Sequence, residues 1–151
     1  PDGDDTAASL VVNAIMPFGG SSSGVPPGTT YANGTSVTGT YGTITIGADG
    51  TYTYTADQTA ADALDAGDTV TDVFTYLIID SSNAYHTANI TITVTGVNDT
   101  PVAADDTGAV NEDATLTVSS AASGVVQDND TDPDTDDTAA SLEITNITFN
   151  G

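Results

Sequence analysis

Residues 128–137 read DNDTDPDTDD. Six of the ten are aspartates (Asp128, Asp130, Asp132, Asp134, Asp136 and Asp137), and the chain has no lysine or arginine to balance them. Two unit charges about 4 Å apart repel by roughly 4 kcal/mol at an effective dielectric near 20. Such a loop either stays splayed in water or closes on a cation. Alternate residues of an extended chain project to the same side, so the Asp-x-Asp series Asp128, Asp130, Asp132, Asp134 and Asp136 presents its carboxylates in a row as candidate metal ligands. Calcium takes six to eight oxygen ligands, mixing carboxylates with carbonyls. Pro133 stiffens the loop and reduces the entropy lost on closing it around an ion. Like-charge runs are more often solvated linkers, but this one recurs. PDGDDTAASLVVNAI opens the chain and PDTDDTAASLEITNI returns at Pro133, with Asp2 matching Asp134, Leu10 matching Leu142 and Ile15 matching Ile147. Asp2 and Asp4 are therefore candidate ligands in the N-terminal copy.

The composition points the same way. Of 22 acidic residues only Glu112 and Glu143 are glutamates. Glutamate suits helices, whereas aspartate suits turns and caps, so the bias indicates short carboxylates aimed at a shared centre. With a formal charge of −22 and no cationic side chain except His86, the chain cannot neutralise phosphates, which argues against nucleic-acid binding. Attraction to anionic membranes fails for the same reason. No stretch is apolar for long enough to span a bilayer, and no signal-peptide pattern is visible. Without cysteine there is no disulfide, so stability must come from packing or from metal.

Other chemistries fit less well. An EF-hand register starting at Asp132 puts Asp134 and Asp136 at the third and fifth positions and Glu143 at the twelfth. The sixth position, which should be glycine, is Asp137, and the N-terminal copy has Val11 in place of Glu143. His86 has no cysteine or second histidine for zinc and no nucleophile pattern around it, so a surface or packing role is expected. Nothing selects two carboxylates as a glycosidase pair. The chain is not expected to be an enzyme. Asp49, within GADG, reads as turn chemistry, and Asp105-Asp106 is a further acidic pair.

The elements that would position these loops are short alternating strands. YGTITIGADGTYTYT reads as a hairpin, with Ile44 and Ile46 on one face of the first arm, Tyr52 and Tyr54 on one face of the second, and GADG as the turn. Phe74, Tyr76 and Ile78 alternate along VFTYLIID, and Ala88, Ile90, Ile92 and Val94 along TANITITVTG. Leu116 and Val118 in ATLTVSS, and Leu142 and Ile144 in SLEIT, continue the pattern. Asn33-Gly34 marks another turn. ADQTAADALDAGD predicts the one helix, about two turns with Leu64 facing the core. Polar turns between such strands predict an all-β fold, an antiparallel Ig-like β-sandwich. The repeat period of 132 residues (Pro1 to Pro133) makes the chain a tandem-repeat unit. Residues 1–98 form most of one sandwich, and 99–151 form a linker and the N-terminal part of the next.

The segment from GTYGTITIGADGTYTYT through HTANITITVTGVND resembles the VCBS repeat, a family of Ig-like or cadherin-like modules in very large bacterial surface proteins, notably RTX adhesins. The resemblance covers most of the chain and fades over roughly residues 16–36. It implies a module boundary near Gly96 to Pro101. VNDTP is similar to the linker between cadherin-type domains, where Asn and Asp bind calcium, which implies Asn98 and Asp99 as ligands. NEDATL places Glu112 where the family has an early glutamate ligand. DNDTDPD supplies Asp128, Asp130, Asp132 and Asp134, and LDAGD supplies Asp65 and Asp68 as weaker candidates. The pattern departs at Gly96, where an aspartate would precede Asn98 by two.

Three functions follow as expectations. The first is a calcium-rigidified spacer in a secreted, cell-surface bacterial adhesin that supports adhesion or biofilm attachment. Neighbouring repeats would be its partners, and host or surface targets would be met by other parts of the parent protein. The second is a self-assembling extracellular filament subunit, in which residues 100–151 lend strands to the 1–98 portion of another copy. The third is a calcium-dependent carbohydrate-binding module using exposed Tyr31 or Tyr85.

Overall fold

The computed structural model describes residues 10–121, 124–126 and 128–149. The N-terminal candidates Asp2 and Asp4 lie outside the described residues. The chain divides into two compact units: one of Pro1–Ala61 with Asp68–Thr95, and one of Asp62–Gly67 with Gly96–Gly151.

The first unit is the expected all-β antiparallel sandwich. Its strands are β1 (Val11–Pro17), β2 (Ser23–Gly24), β3 (Thr35–Thr38), β4 (Thr43–Ile46), β5 (Tyr52–Thr55), β6 (Thr69–Ile79) and β7 (Tyr85–Thr95), with one short helix, α1 (Thr59–Asp62). They form a four-stranded sheet in the order β2-β1-β6-β7 and a three-stranded sheet in the order β3-β4-β5. All the pairings are antiparallel.

Period-two patterning decides which residues go inside. Ile44 and Ile46 are completely or almost completely buried, and Phe74 is fully buried. With Val12, Ile15, Val25, Val37 and Ala48 they make one core, against which Tyr54, Tyr76, Ile78 and Ile90 pack. Tyr54 meets Phe74 edge to face, with ring centroids 6.2 Å apart. Burying each such side chain contributes about 1.5–3 kcal/mol, so this face-to-face core is what holds the sheets together. In β1 the register against β6 shifts between Val12 and Ala14. That irregularity allows Val12, Ala14 and Ile15 all to be buried.

The β4–β5 hairpin closes as the sequence predicts. The Gly50 N–H donates to the Gly47 carbonyl, and Asp49 Oδ1 accepts from the Thr51 N–H and hydroxyl at 2.9 and 2.7 Å. The helix is shorter than expected, four residues rather than two turns. A single turn is a costly nucleus, Asp62 and Asp65 are weak helix formers, and Gly67 adopts φ +92°.

The second unit is less regular. Among its described residues the only ladder contact is an isolated antiparallel bridge between Val102 and Thr131. The strands expected around Leu116–Val118 and Leu142–Ile144 do not form there. A strand is held by a paired neighbour, and no described residue pairs with either segment. Leu116, Val118 and Ile144 remain 52, 57 and 53 % exposed.

Candidate metal centre

The acidic loop folds back on itself through its own side chains. The Asp134 N–H donates to Asp132 Oδ1 at 3.0 Å, a two-residue turn of the kind aspartate favours. Asp65 organises the next residues from a distant part of the chain. Its Oδ1 accepts from the Thr135 N–H and hydroxyl, each at 2.8 Å, and from the Asp136 N–H at 3.1 Å. These bonds, led by the Thr135 hydroxyl, hold the Asp65 carboxyl below its ordinary value. The linker joins through its backbone: the Asp99 N–H donates to Asp134 Oδ2 at 2.9 Å.

One carboxylate oxygen from each of Asp132, Asp134 and Asp137 lies within 4.8 Å of the other two. Asp134 is only 4 % exposed. Its Oδ1 is buried and has no hydrogen-bond partner. Leaving a charged acceptor so is costly unless something fills the position. Asp136, beside this group, is held above its ordinary value, by burial first and then by the carboxylates of Asp65, Asp137 and Asp134. The donors are all carboxylate oxygens, which suits a hard cation such as calcium or magnesium rather than zinc or copper. Two oxygens sharing a calcium ion at roughly 2.3–2.6 Å can be up to about 5 Å apart, so the residues present fit the ion.

The other candidates fall outside this group. Asn98 donates from its side-chain amide to the Asp99 carbonyl. Asp99 reaches the group by its N–H rather than its carboxylate. Asp130 Oδ1 accepts from the Ala104 N–H at 2.8 Å, which supports the Val102–Thr131 bridge. Asp128 lines a separate recess with Asp105 and Asp106. Glu112 is exposed in a turn. Asp137 was not among the expected ligands. It occupies the position that argued against an EF-hand, and its Asp-Asp adjacency was the signal to follow. By the same repeat offset its N-terminal counterpart is Asp5, outside the described residues. Gly96 departs from the linker pattern for a steric reason: a Cβ there would lie 2.3 Å from the Asp65 carbonyl oxygen.

A family model for the bacterial cadherin-like domain matches residues 2–96. The chain belongs to that family. The match agrees with the cadherin-like resemblance and with the paired antiparallel sheets. No curated protein and no solved structure matches the chain. Cadherin-like domains are structural modules of extracellular adhesin type. Among the described residues of this one, no helix is long and apolar enough to cross a membrane.

The other buried carboxylate among the described residues, Asp72, lies within the residues that match the cadherin-like domain, and it is structural. Asp72, 3 % exposed, sits in the middle of β6. Its carboxylate accepts from the N–H groups of Thr40, Tyr41 and Gly42 at 2.9–3.0 Å and from the Tyr54 hydroxyl at 2.7 Å. Burial alone would raise this acid, but the four donors outweigh it and hold it below its ordinary value. Burial and the same contact push the Tyr54 phenol up. With every neighbour satisfied, Asp72 ties the β3–β4 turn to the opposite sheet and leaves no place for an ion.

Proposed function

We propose that this chain is a calcium-rigidified structural spacer of a large, secreted bacterial surface adhesin of VCBS or RTX type, supporting adhesion or biofilm attachment without catalysis. The observation that carries the reading is Asp134, a buried carboxylate whose Oδ1 has no hydrogen-bond partner and which has one oxygen within 4.8 Å of oxygens of Asp132 and Asp137, in a chain with no lysine or arginine. Asp132, Asp134 and Asp137 would hold the ion. It would supply positive charge and a cross-link within the loop, and the Asp99 N–H on Asp134 would carry that rigidity into the linker. A flexible acidic stretch would thereby become stiff, which is what a spacer needs from its hinges.

Thermal unfolding across a calcium titration, with EDTA and magnesium controls, tests the reading. Extracellular calcium modules bind at roughly 10⁻⁴–10⁻³ M, and a site at ten times its dissociation constant adds about 1.4 kcal/mol. The melting temperature is expected to rise with calcium and to fall back with EDTA. A melting curve indifferent to calcium would remove the basis of the spacer.

A further inference from the structure

Four strands of the first unit have a neighbour on one side only among the described residues: β2 and β7 at the edges of the larger sheet, and β3 and β5 at the edges of the smaller. Tyr52 of β5 and Ile90 of β7 line one cleft, together with Val12, Ile46, Tyr76 and Ile78. The sandwich is thus open along the side between β5 and β7, and the opening is apolar. Sheet edges are normally guarded by charge, proline, bulges or short length. β7 runs eleven residues with no acid, no proline and no irregularity in its register against β6. In a molecule of charge −22, a second copy can approach closely only where acids are sparse. β5 and β7 have none, and Asp49 is the one acid lining the cleft.

The same chain holds a matching segment. Ala114–Ala121 (ATLTVSSA) is uncharged and alternates Leu116 with Val118. It forms no strand, and both side chains stay more than half exposed although they line a recess of their own unit. In the sequence it stands upstream of PDTDDTAASLEITNI, the segment that matches the start of the chain.

We propose that Ala114–Ala121 of one copy adds as a strand to the open side of the first unit of a second copy. Its backbone pairs with an edge strand, and Leu116 and Val118 enter the cleft. Strand addition draws affinity from main-chain hydrogen bonds and register from alternate side chains. Donor and acceptor belong to different units of the chain, so the contact is head-to-tail and propagates unless it closes into a ring. The inference does not depend on calcium.

Light scattering after size-exclusion chromatography of the full chain, from micromolar to millimolar concentration, tests it. The expected result is mass in multiples of one chain, rising with concentration, while the L116D/V118D variant stays at one chain with an unchanged circular dichroism spectrum. A fluorescent peptide of residues 112–121 should bind that variant saturably at one per chain and shift the wild type toward single chains. Single-chain mass at every concentration with no peptide binding overturns the proposal. So does assembly that survives L116D/V118D. A single-chain wild type that loses thermal stability on the double substitution and ignores the peptide would place the segment in its own cleft, which also overturns it.

Discussion

Replacing Asp134 by Asn keeps an acceptor for the Asp99 N–H but removes one charge from the crowded loop. In EDTA, D134N is therefore expected to melt at or above the wild-type temperature, because it relieves repulsion with Asp132 and Asp137. In saturating calcium it should melt below the wild type, because a ligand has been weakened. Scanning fluorimetry in the two conditions reads this reversal; an unchanged order in both would refute a metal role for Asp134. Asp136→Asn provides a contrast. Its carboxylate stands outside the three-oxygen group, so it should keep the calcium response that D134N loses. Sequence spacing found the loop but not which of its carboxylates converge. An extended Asp-x-Asp series predicts alternate residues together, whereas the Asp132–Asp134 turn and the Asp65 bonds to Thr135 and Asp136 curl the backbone and bring in Asp137 instead.

At the level of the elements, the Asp72 clamp makes the stability of the first unit depend on pH. Its native pKa is lowered from 3.8. Its contribution is therefore fully present above about pH 4 and lost as pH falls from there through the native value. D72N removes the charge and points an amide donor at other donors, so it should cost about 2 kcal/mol at neutral pH. It should also flatten the loss of stability below pH 4, as read from urea midpoints against pH. A Cβ at Gly39 would lie 2.6 Å from Asp72 Oδ2 and 2.7 Å from Phe74 Cζ, so Gly39→Ala is expected to cost roughly 1–3 kcal/mol. The alternation of Ile44 with Ile46, and of Phe74 with Tyr76 and Ile78, makes these strands legible in the sequence. Asp72 was not legible: its meaning depends on a turn thirty residues away and on one tyrosine of the facing sheet. The alternation of Leu116 with Val118 predicted a strand that does not form: no described residue pairs with it in a ladder, and patterning cannot show whether a pairing partner is present.

For the whole molecule, a charge of −22 without a single lysine or arginine makes stability a function of salt. Raising sodium chloride from 10 mM to 1 M shortens the screening length from about 30 to about 3 Å. The melting temperature in EDTA should rise over that range, and by less in calcium, where part of the repulsion is already neutralised. Equal increments in both would show that the ion does not act on the charge. The pairing of β1 with β6 carries a separate consequence. Val11 meets Ile79 and Pro17 meets Phe74, so the larger sheet joins the two ends of its unit, whereas the β4–β5 hairpin is local. Closing so long a loop before any contact rewards it makes folding slow, in roughly the millisecond-to-second range of non-local β proteins. Refolding should therefore be limited by the meeting of distant strands, and a ribosome or export channel would have to release the chain through Ile79 before the sandwich could close.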